Sequence, residues 1–136
     1  SDSIYEKGKA KGVLFLDYVA DEELAALYSM AAVYVSPSLY EGVGFTVLEA
    51  MACGTAVICS DGGSLPEVAG DAAIVVPARD TNALAEAIRR VVTDEDTRRT
   101  LIMKGYRNAA RFSWEKSARQ VLTVIESVGR HRIERI

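Results

Sequence analysis

Two carboxylates, Glu41 and Glu49, stand eight positions apart, and the chain between and beyond them reads Gly42, Val43, Gly44, Phe45, Thr46, Val47, Leu48, then Ala50, Met51, Ala52, Cys53 and Gly54. An acid in a loop, two glycines that let backbone approach a ligand, and a second acid inside the following helix make a cradle for a sugar joined to a phosphate. The loop runs into a helix start, so the N–H groups of Gly44, Phe45 and Thr46 face whatever binds there, and with the helix dipole they favour an anion such as a diphosphate. An ordinary turn would use the same glycines for their permissive backbone. Glu49 lies among Val47, Leu48, Ala50, Met51 and Ala52, in an apolar helix where an unpaired charge is costly to bury. Two adjacent ribose hydroxyls would satisfy it, as would a structural salt bridge or simple exposure.

The elements that must hold these residues follow from the apolar pattern. Residues 13–18 form a short apolar run that reads as a strand, after which Asp21 can cap a helix with Leu24, Leu27, Tyr28 and Ala31 on one face. Residues 33–37 form a second, β-branched run, and the chain then loops through Ser38, Leu39 and Tyr40 into the acidic segment. Residues 46–53 read as a helix stopped by Gly54, and residues 56–59 and 73–76 as two further strands, separated by a turn with Gly62, Gly63 and Pro66. Apolar runs without polar alternation, separated by helices, are strands buried on both faces of a parallel sheet. The fold class is therefore α/β, a Rossmann-like doubly wound sheet, in which ligands sit outside the carboxyl ends of the strands where the 36–45 and 60–64 loops emerge.

Beyond Asp80 the pattern is wholly helical. Leu84, Ile88, Val91 and Val92 mark one helix, a second starts near Thr93, and Ser113 caps a third in which Ala118, Val121, Leu122, Ile125 and Val128 form one stripe. Residues 1–128 make one domain and 129–136 a solvated tail. The chain has 136 residues, 49% hydrophobic and 26% charged, the balance of a globular domain large enough to form a core without metal or disulfides. A net charge of −3 offers no field to attract nucleic acid. Cys53 and Cys59 have apolar neighbours and read as packed thiols. No apolar run approaches the ~20 residues that span a bilayer, and the start Ser1, Asp2, Ser3 shows no secretory signal, so the expected location is cytoplasmic.

The segment from Tyr40 to Phe45, with Glu49, Ala50, Met51, Ala52, Cys53 and Gly54, closely resembles the acidic signature of retaining nucleotide-sugar glycosyltransferases of the GT-B fold, the group 1, glycogen-synthase-like enzymes. The flanking order makes the match specific: Asp21, Glu22, Glu23, Leu24 and Tyr28 resemble the preceding helix, Gly62, Gly63, Pro66 and Glu67 the next turn, and Phe112, Ser113 and Trp114 a late helix start. The resemblance implies that Glu49 holds the ribose of a nucleotide-sugar donor and that Glu41 approaches hydroxyls of the transferred sugar as the catalytic acid. It further implies that Gly42, Gly44, Phe45 and Thr46 serve the diphosphate or sugar, and that Tyr18 and Val19 wall the base. Asp17 departs from a usual glycine and Ala56 from a usual proline, and the first of these alters the base-side corner. The Arg and Lys that grip the diphosphate in the family, and its N-terminal domain, have no counterpart before the first strand.

The chain thus reads as most of the C-terminal half of a two-domain enzyme of polysaccharide or glycoconjugate synthesis, inactive alone, whose full form is able to associate peripherally with a membrane. Its substrate is a nucleoside diphosphate sugar, its acceptor is unidentified, and no metal or other cofactor is expected. Alternatives are a non-catalytic nucleotide-sugar-binding fragment and a GT-B-fold phosphorylase or epimerase. A dinucleotide oxidoreductase fails because its third fingerprint glycine falls on Val47. The remaining clusters read as structure. His131, the sole histidine, lies in the tail; Thr93 and Asp96 form a capping box, which absorbs the acidic run Asp94, Glu95, Asp96; Phe112 and Trp114 are core or packing residues rather than a stacking platform.

Overall fold

A computed structural model describes residues 3–133. Strands β1 (Tyr34–Ser36), β2 (Val57–Ser60) and β3 (Ala73–Val76) form a parallel sheet in that order, with Tyr34 opposite Val57 and Val57 opposite Ala73. Helix α3 (Phe45–Ala52) connects β1 to β2 and the short α4 (Leu65–Ala69) connects β2 to β3, while α1 (Ile4–Ala10) and α2 (Asp21–Met30) precede the sheet. Helices α5 (Thr81–Thr93), α6 (Glu95–Ala109) and α7 (Trp114–Ile133) follow it.

Every residue of β2 is buried, which is why its sequence shows no polar alternation. Val57 and Cys59 join Tyr28, Val47, Met51 and Leu65 on one side, whereas Ile58 joins Val76, Ala87, Val91 and Leu101 on the other. Helices thus cover both faces, as a Rossmann-like sheet requires. Met51 is the largest fully buried side chain in the first cluster, and truncating it to Ala would cost about 2–5 kcal/mol through the cavity left behind. Helix α6 locks α3 and α4 together: Gly105 lies against Met51, and the buried Asn108 amide donates to the Val68 carbonyl at 2.8 Å.

Several expectations are corrected. Residues 13–18 form no strand; Leu14 and Leu16 are 84% and 61% exposed, because an extended apolar run becomes a strand only where a neighbouring backbone pairs with it. Asp21 is the first helical residue rather than the cap, which is Ala20. Of that helix's expected face, Tyr28 is buried and Leu27 exposed, and Ala31 lies past the helix end. The 62–66 turn contains α4, since proline is tolerated in a helix's first turn. Asp94, not Thr93, caps α6, its carboxylate accepting from the Asp96 and Thr97 amides at 3.1 Å. Helix α7 continues through Gly129 to Ile133. The stripe Val121, Leu122, Ile125 and Val128 is exposed. Ser1, Asp2, residues 134–136 and the side chain of His131 lie outside the described residues.

Candidate donor site at the carboxyl ends of the strands

The β1 and β2 loops meet as expected. The hydroxyl of Ser60, the last residue of β2, donates to the Ser38 carbonyl, and Ser64 donates to the Glu41 carbonyl through its amide and its hydroxyl, both at 3.1 Å. Gly63 lies beneath Glu41 with φ +60°, and a Cβ there would collide with the Glu41 carbonyl oxygen. Asp61 extends the stitching to the loop after the third strand, accepting from the Ala78 amide at 2.8 Å. Glu41 is consequently fixed at the backbone, and its carboxylate is oriented as well: Ser38 Oγ donates to Glu41 Oε1 at 2.7 Å.

Gly44 then turns the chain into α3. Its φ of +78° is a left-handed value that glycine adopts without strain, and a Cβ would come 2.7 Å from Leu65 Cδ2. No side chain caps α3, and its first turn carries no acid. The Phe45 and Thr46 amides precede the first i→i−4 bonds of the helix, so its positive end is left for an external acceptor.

Glu49 follows one turn later and is exposed, whereas Val47, Ala50 and Met51 face the core. This corrects the expectation of a charge pressed into an apolar setting: the apolar neighbours occupy the helix's other faces. Glu49 nevertheless has a partner, the Tyr28 hydroxyl, which donates to its Oε2 at 3.3 Å. Burial, reinforced by Tyr34 and by the Glu49 carboxylate, pushes Tyr28 well above the usual phenol range, so it remains a protonated donor.

Glu49 stands between two clefts. One, of about 360 Å³, lies between α2 and α3 and is lined by Asp21, Leu24, Tyr28, Glu49 and Cys53. The other, of about 530 Å³, is bounded by Phe45, Leu48, Glu49, Phe112 and Trp114. Trp114 is 80% exposed and packs on Phe45 at 5.6 Å between ring centroids, so Phe112 and Trp114 are cleft walls rather than core. Gly42 and Thr46 are exposed beside Glu41 and Phe45. Tyr18 and Val19 line neither cleft, so the structure does not bring them to the acids.

Cys59 is buried and its thiol is pushed up to about 11 by desolvation; both cysteines are free. Among the described residues no group of three His, Cys, Asp or Glu side chains is arranged to hold a metal ion, and no helix is long and apolar enough to cross a membrane. In the acidic run at α6, Asp94 caps the helix and Glu95 pairs with Arg98 and Arg99. Sequence reasoning missed two hydroxyls, those of Ser38 and Tyr28. Their signal was a polar atom on residues otherwise assigned to a loop and to an apolar helix face.

A parallel sheet covered on both faces, with two acids flanking a glycine-turned helix start at its strand ends, defines a Rossmann-like half-domain. The chain belongs to the glycosyl transferases group 1 family, whose pattern it matches over residues 1–108. It is 41% identical over 120 residues to O-antigen chain mannosyltransferase B of Escherichia coli, covering 88% of this chain and 32% of that protein. Its fold superposes on sucrose-phosphate synthase from Thermosynechococcus elongatus with a TM-score of 0.82 and 37% identity, covering 94% of this chain and 33% of that one. It also matches the C-terminal domain of a glycosyl transferase group 1 protein, LpcC, from Francisella tularensis, with a TM-score of 0.68 and 27% identity over 79% of this chain and 58% of that one. The chain spans about a third of the length of the first two, and its architecture is that of a partial C-terminal half of a GT-B glycosyltransferase.

Proposed function

We propose that this chain is the donor-binding part of a glycosyltransferase that moves a sugar from a nucleoside diphosphate sugar to an acceptor hydroxyl with retention of configuration. The observation that carries this reading is the placement of two acids around one uncapped helix start. Glu41 is held in the loop before Gly44, and Glu49 presents its carboxylate one turn inside α3. When the bond to the diphosphate breaks, positive charge develops on the sugar ring and negative charge on the leaving group. The α3 amides meet the second charge, Glu41 stands toward the sugar hydroxyls, and Glu49 accepts from the ribose. The similarity to a mannosyltransferase and a sucrose-phosphate synthase supports sugar transfer as the chemistry.

The test takes the full-length protein containing this chain. NMR titration with UDP and GDP should move amides around Gly44 and Glu49, and the anomeric coupling of the transfer product should match that of the donor sugar. Inversion at the anomeric carbon would overturn the retaining mechanism, and silence at Gly44 and Glu49 at millimolar nucleotide, about 4 kcal/mol of binding, would overturn the site.

A further inference from the structure

We propose that Tyr28 is a positioning residue for Glu49, its buried hydroxyl holding the carboxylate in the orientation that receives the donor's ribose; this rests on the donor-site reading above. Tyr28 and Glu49 are 21 residues apart and on different helices, yet the phenol reaches Glu49 Oε2 at 3.3 Å.

Tyr28 is itself held at its backbone and at its ring. Its side chain is buried at 7% exposure, Thr55 Oγ1 donates to the Tyr28 carbonyl at 2.5 Å, and the ring meets Tyr34 of β1 edge to face at 5.4 Å. The hydroxyl is thus a fixed point of the core, whereas the carboxylate it touches belongs to an exposed side chain.

An exposed glutamate samples many rotamers, and a ligand that needs one of them must first remove that freedom. Among the described residues no lysine or arginine forms an ion pair with Glu49, so the phenol is the group that restrains it. The bond uses one acceptor position of Oε2. The remaining positions on that oxygen and both on Oε1 stay available for a pair of vicinal hydroxyls. Both side chains line the α2–α3 cleft, which is open to a ligand.

The experiment compares Tyr28→Phe with wild type in the full-length protein, using UDP and GDP and their 2′,3′-dideoxy counterparts as probes. Removing only the phenol oxygen should weaken the ribonucleotide about threefold to tenfold, the span of one ordinary hydrogen bond, and leave the dideoxy affinity unchanged. In a Glu49→Ala background the same substitution should have no further effect. Equal weakening of ribo and dideoxy nucleotides would reduce Tyr28 to a packing residue, and unchanged ribonucleotide affinity would overturn the proposal outright. If Tyr28→Phe melts below the assay temperature, the Tyr28 hydroxyl proton of wild type decides. It should shift on binding ribonucleotide and stay in place with the dideoxy form; a hydroxyl unmoved by bound ribonucleotide overturns the proposal. Failure of the donor-site reading looks different, because wild type would then bind ribo and dideoxy nucleotides alike and Glu49→Ala would change neither.

Discussion

Gly63 lies directly against Glu41: a Cβ on Gly63 would collide with the Glu41 carbonyl oxygen and come 2.8 Å from its amide nitrogen, at a φ of +60°. The loop after β2 therefore sets the height of the loop after β1. Gly63→Ala should cost about 1–2 kcal/mol from the left-handed backbone alone, and the collision should displace the acid loop as well. Thermal melting with amide shifts of residues 41–44 checks this; a variant with wild-type melting and unmoved Glu41 would show that the loops are not mechanically joined.

Glu49→Ala should weaken nucleoside diphosphate binding by about 1.5–3 kcal/mol, the range for a hydrogen bond to a charged group. Because Glu49 is exposed while its helix neighbours carry the core, the melting curve should barely move. Unfolding without a separable loss of binding, measured by calorimetry on the same samples, would make Glu49 a structural acid.

Glu41→Ala in the full-length protein should lower turnover more than nucleotide affinity, since its carboxylate is assigned to the sugar. Ser38→Ala removes the hydroxyl that orients Glu41 Oε1 at 2.7 Å and should shift turnover in the same direction, by less. Steady-state kinetics beside nucleotide titrations separate the two effects. The isolated chain should transfer no sugar.

Asp94 supplies a pH-dependent contribution. Hydrogen bonds from the Thr97 hydroxyl and amide hold its carboxyl below the usual carboxylate range. A depressed folded pKa means that the stabilisation is present above the unfolded value of about 3.9 and is lost as pH falls through the folded one. Asp94→Ala should melt below wild type at pH 7, and the gap should narrow as acid protonates the wild-type cap. A gap that persists after protonation would assign the difference to helix propensity.

Transfer by the full-length protein should survive a chelator, because on the donor-site proposal the α3 start offers backbone donors for the diphosphate and Asp94 of the acidic run at α6 is occupied as a cap. Loss on chelation, restored by Mg²⁺ or Mn²⁺, would place a metal in the mechanism.

The sequence made legible whatever depends on near neighbours or on burial of a whole run. Strands 34–36, 57–60 and 73–76 were readable because each carries a run of apolar residues, and the start of α3 because a helix visibly begins between the acids. Residues 13–18 carry the same apolar signal but form no strand, since the signal reports the wish to be buried and not the presence of a partner. Helix α1 was missed because it buries no residue and so has no apolar face to read. The bonds from Ser38 and Tyr28 also differ in kind. The first spans three residues and was within reach of loop reasoning, whereas the second spans 21 and exists only once α2 is laid against α3.

Helix α3 divides its labour by angle. Val47, Ala50 and Met51 point inward and are fully enclosed, while Phe45, Thr46 and Glu49 point outward. Under the donor-site proposal, variation at the outward positions alters which molecule is accepted without disturbing the fold, and variation at the inward ones does the reverse. On that proposal, ligand preference and durability are separately heritable on a single eight-residue helix. A lineage can diversify its chemistry there while keeping its architecture constant.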